Sequence, residues 1–303
     1  MSEQNQSLPL PASVVPQAGQ WRAVTPAGER SVELLAGSLG TTLLASDFDG
    51  TLSDIVEDPE QARMNPAARE ALARVAPLVA RLAIVTGRGV DVVRRLADLE
   101  SEPAFGQVLV LGQYGQESWD GSTGETSNPP TPPGVRAAKA QVQELLAGNM
   151  QLAFLNGVQV EDKGRAIGVH TRRAADPGAA MGWLREPLAG IAQAHGLVLE
   201  PGRNVIELRG SAITKGDALQ QLARSVEPEV VVMMGDDLGD LAAFATVRSL
   251  AEAGEAQGLC VVAGSAEQPS VAAQADVLCG GPEGVAAWLA EVCRAAEQAQ
   301  PNP

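Results

Sequence analysis

Four places along the chain set oxygen donors and one amine where they could act together. The run Leu43-Leu44-Ala45-Ser46 ends in Asp47-Phe48-Asp49-Gly50-Thr51, and Val230 to Met234 ends in Gly235-Asp236-Asp237, with Asp240 close behind. Leu82 to Val85 ends in Thr86-Gly87-Arg88, and Lys215 opens a helical stretch. Acids that converge at the mouths of buried strands must either share protons or hold a cation. No His or Cys stands among them, and an all-oxygen set suits Mg²⁺. Such an ion would offset the charge of a phosphate and leave one carboxylate free to attack it. The lysine and the threonine hydroxyl would then hold the remaining phosphoryl oxygens, so phosphoryl transfer is the chemistry these residue types could perform.

A frame must bring the four places together. Thr42 to Ser46 is a continuous apolar run rather than an alternating one, as suits a central strand buried on both faces. Asn65-Pro66 reads as a helix start, with Leu72, Val75 and Val79 at helical spacing behind it. A strand at Leu82 to Val85, a helix from about Val90 to Leu99 and a third apolar run at Val108 to Leu111 complete a strand–helix alternation. That alternation predicts an α/β fold, a doubly wound parallel sheet whose site lies beyond the carboxyl ends of its strands.

The rhythm breaks at Asp120 to Gly134, DGSTGETSNPPTPPG, which reads as an exposed connection. Strands are then expected at Gln159 to Glu161, Ile167 to His170, Leu197 to Leu199 and Val205 to Leu208, around a helix marked by Met181, Leu184, Leu188 and Ile191 and kinked at Pro187. From Lys215 the first rhythm resumes. The expected layout is a flexible tail over 1–30, a catalytic core over 31–118 and 214–303, and an inserted α+β cap over 119–213.

Composition narrows the partners. The 303 residues carry 22 basic and 37 acidic side chains, a formal charge of -15, which argues against non-specific nucleic-acid binding and anionic membranes. Cys260, Cys279 and Cys293 form no CxxC pair and read as buried residues of a reducing compartment. The first twenty residues lack the basic opening and apolar core of a signal peptide, so a cytoplasmic location is expected, and separately a monomer. Two histidines supply a zinc site or a histidine triad poorly. His195, before Gly196, reads as a helix C-terminal residue, and His170 as a strand residue in packing or hydrogen bonding.

From about residue 40 to the last helix the chain resembles the haloacid-dehalogenase-type (HAD) phosphatases. Asp47-Phe48-Asp49-Gly50-Thr51 is similar to their first motif, DxDGT, while Thr86, Lys215 and Gly235-Asp236-Asp237 with Asp240 match the second, third and fourth. The resemblance implies that Asp47 is a nucleophile forming an aspartyl-phosphate, and that Asp49 protonates the leaving oxygen and later activates water. It also implies a Mg²⁺ site of Asp47, the backbone carbonyl of Asp49, and Asp236, supported by Asp237 or Asp240.

Within the insert, Glu161-Asp162-Lys163-Gly164, His170-Thr171-Arg172, and Glu200-Pro201-Gly202-Arg203 followed by Val205-Ile206-Glu207-Leu208-Arg209 resemble the cap motifs of trehalose-6-phosphate phosphatases. Carried over residue by residue, Glu161, Lys163, Arg172, Glu200 and Arg203 would grip sugar hydroxyls, as charged side chains do through paired hydrogen bonds. Arg88, Gln113, Tyr114 and Glu117 would contact the substrate from the core. Three departures from the family pattern stand out. Gln113-Tyr114 replaces an Asn-His pair, Arg203 replaces a lysine, and Leu238 to Ala243 lacks a Thr, a Glu and an Asp of the usual fourth motif. The resemblance therefore implies a phosphatase of trehalose 6-phosphate. Its alternatives are an enzyme for sucrose, glucosylglycerol or mannosylglycerate phosphate, and an inactive HAD-like regulatory module.

Overall fold

The structure, a computed structural model, describes residues 15–56, 58–202, 204–264 and 269–299. It divides into two units, one taking the chain up to Ser127 and again from Thr214, the other spanning Asn128–Ile213.

The first unit opens with strand β1 (Trp21–Ala23), the short helix α1 (Pro26–Glu29) and α2 (Ser31–Ser38). It continues through β2 (Thr42–Ser46), α3 (Pro66–Val75), β3 (Arg81–Val85), α4 (Val90–Ala97), β4 (Val108–Gly112), β5 (Glu117–Asp120) and β6 (Thr126–Ser127). The second unit holds α5 (Pro133–Gly148), β7 (Gln159–Asp162), β8 (Ala166–His170), α6 (Pro177–Ala194), β9 (Val198–Gly202) and β10 (Val205–Arg209). The chain then returns through α7 (Lys215–Val226), β11 (Val230–Gly235), α8 (Leu241–Glu252), β12 (Gln257–Ala263), α9 (Pro269–Ala272), β13 (Val277–Cys279) and α10 (Gly281–Ala299).

Among the described residues the first unit's sheet runs β1-β13-β12-β11-β2-β3-β4-β5-β6, parallel from β13 to β4 and antiparallel at both edges. The uninterrupted apolar residues of β2 and β11 suit them to the centre, because a strand covered by helices on both faces has no polar side to offer. Leu44, Met234 and Phe48 pack toward α3, α4 and α10, while Leu43, Met233 and Phe244 build the opposite layer with α7 and α8. Phe48 and Leu52 are fully buried immediately after Asp47. Burial of each side chain is worth about 1.5–3 kcal/mol, which anchors the turn that presents the acids. Asn65 caps α3 by accepting from the backbone N–H groups of Ala67 and Ala68, with Pro66 as its first residue.

The second unit is an antiparallel sheet, β7-β8-β10-β9, backed by α5 and α6. Ile167, Val169, Ile206 and Leu208 join the apolar layer with those helices. Side chains of a strand alternate between faces, so the other face displays the cross-strand row Glu161, Gly168, Glu207, Glu200.

Several expectations are corrected. Residues 21–23 are an edge strand paired with β13, so the expected tail does not extend to residue 30; residues 1–14 lie outside the described residues. The core reaches Ser127 rather than 118, because Trp119 pairs with Val110 on one side and Thr126 on the other. Part of the expected exposed connection is thus a hairpin, and α5 comes after it as an unanticipated helix. Pro187 lies inside an unbroken α6. Arg203 lies outside the described residues.

Candidate active site

Asp47 leaves the end of β2 and is tied to β11 by its own N–H, which donates to the Met234 carbonyl at 2.8 Å. Its carboxylate is nearly enclosed, and Oδ1 lies 2.8 Å from Lys215 Nζ. The same ammonium lies 2.8 Å from Oδ1 of Asp240, which has no exposed surface. Oδ2 of Asp240 accepts from the backbone N–H groups of Asp236 and Asp237 at 2.9 and 3.1 Å. Asp240 is therefore engaged by Lys215 and by the loop that aims Asp236. Thr214 and Asp217 form a reciprocal capping box that fixes the first turn of α7, from which Lys215 projects.

Close packing leaves two glycines no alternative. A Cβ on Gly50, whose φ is +74°, would stand 2.1 Å from Asp236 Oδ2, and one on Gly235 would stand 2.4 Å from Asp240 Cγ. Thr51 donates its hydroxyl to Asp236 Oδ1 at 3.2 Å, a contact not foreseen from the sequence although Thr51 belongs to the DxDGT run.

Carboxylate oxygens of Asp47, Asp236 and Asp240 all lie within 4.8 Å of one another and could hold a metal ion. Burial pushes the Asp47 carboxyl well above the usual range; Lys215 pulls it down, and Asp240, Asp237 and Asp49 push it further up. Asp236 is raised the same way, by burial first and then by Asp47. Burial pushes the Lys215 ammonium down, but Asp240 and Asp47 outweigh it and hold it well above its ordinary range. One buried cation is thus set among more negative charge than it offsets, and the donors are all oxygen. A hard divalent cation fits that imbalance. Among the described residues the carboxylates of Asp49 and Asp237 do not join this cluster; Asp49 was expected to act through its backbone carbonyl and Asp237 only in support, and Asp237 accepts from Gly239 N–H at 2.8 Å.

Asp49 faces Arg88. Nε donates to Oδ2 at 2.6 Å and Nη2 to Oδ1 at 2.7 Å, a bidentate pair, while Nη1 donates to the Pro59 carbonyl at 3.0 Å. Thr86 is buried at the end of β3, where its Oγ1 accepts from Arg88 N–H at 3.2 Å.

Gln113 and Glu117, expected at the substrate, hydrogen-bond to the backbone of this loop and of the helix that follows it. Gln113 is buried; its backbone N–H donates to the Arg88 carbonyl and its amide to the Gly87 carbonyl, while Tyr114 N–H donates to the Thr86 carbonyl. Gln113, Tyr114 and Gly115 all adopt left-handed φ, at 49°, 62° and 93°, a rare conformation for the first two. Glu117 is buried and accepts from Val90 N–H at 3.0 Å, so it caps α4. Tyr114 is half-buried, and a Cβ on Gly87 would stand 2.9 Å from its hydroxyl.

On the polar face of the second unit, Glu161 lies 2.8 Å from His170 Nε2 and 3.8 Å from Lys163 Nζ, and Lys163 also pairs with Glu207. Gly168 makes room, since a Cβ there would stand 2.9 Å from His170 Nε2. Glu200 pairs with Arg209 at 3.6 Å, and Arg172 is exposed in the turn after β8. Sequence reasoning placed Glu207, Arg209 and His170 within the cap motifs without giving them sugar contacts of their own; their register with Glu161 and Glu200 emerges only when the strands pair.

A family model described as trehalose-phosphatase matches residues 45–278, a span that includes the aspartates of β2 and β11, Lys215 and the whole polar face of the second unit. The trehalose-phosphate phosphatase of Mycobacterium tuberculosis is 34% identical over 207 residues, 66% of this chain and 50% of that protein. A probable trehalose-phosphate phosphatase of Sinorhizobium fredii is 30% identical over 226 residues, 74% of this chain and 80% of that one. The chain spans half the length of the mycobacterial phosphatase, and 15% of the length of mycobacterial relatives described as uncharacterized glycosyl hydrolases. The C-terminal domain of the Candida albicans trehalose-6-phosphate phosphatase superposes with a TM-score of 0.70 at 20% identity, covering 90% of this chain and 99% of that one, a likeness of fold. A HAD-like core built as described, matched by that family model over most of its length, places the chain in the trehalose-phosphatase family.

Proposed function

We propose that the protein is a Mg²⁺-dependent phosphatase that hydrolyses trehalose 6-phosphate to trehalose and phosphate, the last step of trehalose biosynthesis, in the cytoplasm. The observation that supports this most is the buried Asp47–Lys215–Asp240 arrangement at the carboxyl ends of parallel strands, with Asp236 beside it. Asp47 attacks phosphorus as the bond to the sugar oxygen breaks, forming an aspartyl-phosphate, and Asp49 gives its proton to that oxygen. Asp49 then takes a proton from the water that displaces Asp47 and frees phosphate. Lys215 and Thr86 hold the phosphoryl oxygens throughout, their charge and dipole fixed in advance by Asp240 and by the loop. Asp47 and Asp236 would hold the Mg²⁺, which when bound offsets the charge of the transferring phosphoryl group.

In the same reading, Glu161, Lys163, Arg172, Glu200 and Arg203 take the sugar hydroxyls, joined by Glu207. The half-buried Tyr114, which stands where the family pattern has a histidine, favours a second reading with the same chemistry and a different sugar, such as sucrose or glucosylglycerol phosphate. The complete set of Asp47, Asp49, Thr86, Lys215 and Asp236 supports an enzyme over a regulatory module. Phosphate release from trehalose 6-phosphate, sucrose 6-phosphate and glucose 6-phosphate, with Mg²⁺ and with chelator, is the test. Metal-dependent preference for trehalose 6-phosphate is expected; preference for another sugar leaves the chemistry and replaces the substrate, and no turnover of any overturns the reading.

A further inference from the structure

Arg209 is the last residue of β10 and is almost wholly buried, its side chain 3% exposed. One end of its guanidinium reaches the polar face, where Nη1 lies 3.6 Å from Oε2 of Glu200. Nη2 turns the other way and donates to the carbonyl of Ile213. Ile213 is the final residue of the second unit and stands two positions before Lys215.

The segment between is short and held at several points. Gly210 N–H donates to the Arg165 carbonyl at 3.0 Å, and Ile213 N–H donates to Ser211 Oγ at 3.1 Å. A Cβ on Gly210 would stand 2.5 Å from Pro132 Cγ, so the returning segment packs against the outgoing one. Arg165 fixes the outgoing segment in turn, Nη1 donating to the carbonyls of Pro129 and Pro130 at 2.7 and 2.8 Å. After Ile213 the chain enters the capping box of α7 directly, and Lys215 is the first residue of that helix. Thr214, the N-cap of α7, is the single residue between Ile213 and Lys215, whose ammonium spans Asp47 and Asp240.

We propose that Arg209 is a positioning residue that couples recognition of a sugar hydroxyl at Glu200 to the placement of Lys215. A rigid guanidinium fork can hold a carboxylate and a carbonyl at once, whereas a lysine is a single point donor. A hydroxyl that engages Glu200 shifts the carboxylate that Arg209 shares, and the same plane carries that shift to Ile213. Binding energy from the sugar, remote from phosphorus, thereby acts on the turnover step rather than on affinity alone. The inference rests on the proposed role of Glu200 as a sugar contact.

The experiment compares a sugar phosphate with a small aryl phosphate, which has no hydroxyls for Glu200, in Arg209→Lys and Glu200→Gln. For Arg209→Lys, kcat on the sugar phosphate is expected to fall about tenfold with KM within about threefold, while kcat on the aryl phosphate changes less than about threefold. Equal losses on both substrates would reduce Arg209 to a support of the fold, and a rise in KM with kcat intact would make it one more sugar contact; either overturns the coupling. Glu200→Gln is expected to raise KM and lower kcat on the sugar phosphate together. If it raises KM alone, the coupling fails and the sugar contact stands; if it alters neither, the sugar contact itself fails. Melting temperatures accompany each variant, and should Arg209→Lys melt early, the Glu200→Gln result decides.

Discussion

Arg88 grips the carboxylate of Asp49 with two parallel hydrogen bonds, Nε to Oδ2 at 2.6 Å and Nη2 to Oδ1 at 2.7 Å. The arginine thus sets where the proposed acid–base group points before substrate arrives. Arg88→Lys keeps the charge and loses the fork. It is expected to lower kcat about tenfold or more on sugar and aryl phosphates alike, since Asp49 serves the reaction and not the sugar. Steady-state kinetics on both substrates checks this, and a loss confined to one substrate would refute it.

Asp47 and Asp236 repel one another in a buried site, and both are raised well above the usual carboxylate range. A carboxyl whose pKa is raised by folding weakens the fold as pH climbs past its unfolded value, so the metal-free protein at neutral pH bears that cost at both residues. Mg²⁺ at a hundred times its dissociation constant is expected to add about 2.7 kcal/mol of stability. Asp236→Asn is expected to raise the melting temperature in chelator and abolish the Mg²⁺ shift. Calorimetry of both proteins with and without metal reads the result; an undiminished shift in the variant would remove Asp236 as a ligand.

Lys163 pairs with Glu207 and neighbours Glu161 on the polar face of the second unit. If that face takes the sugar, Lys163→Ala should raise KM for trehalose 6-phosphate about ten- to a hundredfold, the cost of a hydrogen bond to a charged group. The aryl phosphate should be affected far less. Equal effects on both would show that the face serves another purpose.

Asp47→Asn removes the proposed nucleophile while keeping the side-chain shape. Turnover is expected to fall by at least about a thousandfold with the circular dichroism unchanged. Retained activity would disqualify Asp47.

The three cysteines are buried and free. Burial pushes Cys260 up to about 12, and Cys279 and Cys293 up as well, so their thiolates are scarce in mildly alkaline buffer. A thiol reagent should titrate none of them in the native protein and all three after denaturation. Rapid native labelling at Cys260 would contradict its environment.

The acids of β2 and β11 were legible because a fully buried parallel strand leaves an uninterrupted apolar run, and the residues just past such a run form the loop at the sheet's carboxyl edge. Elements that depend on partners were not. Trp21–Ala23 has neither length nor alternation and becomes a strand only by pairing with β13. Ser118 and Trp119 sit in a stretch of turn residues that β4 recruits into the sheet. Alanine-rich α5 has a weak apolar stripe, completed by the sheet it covers. The same limit applies to Arg209 and Glu207, which the cap-motif resemblance included but whose neighbours on the polar face follow only from cross-strand register. Glu117 was legible as an acid near a candidate site, while its hydrogen bond from the first N–H of a helix was not.

Tyr114, held in its left-handed turn against Gly87, is the chain's single tyrosine. A reagent that marks phenols therefore marks one position, next to the loop that bears Thr86. Nitrating that ring would install a chromophore whose colour reports on the charge gathering beside it, so under the proposed function the molecule already contains an address for watching phosphate arrive and leave.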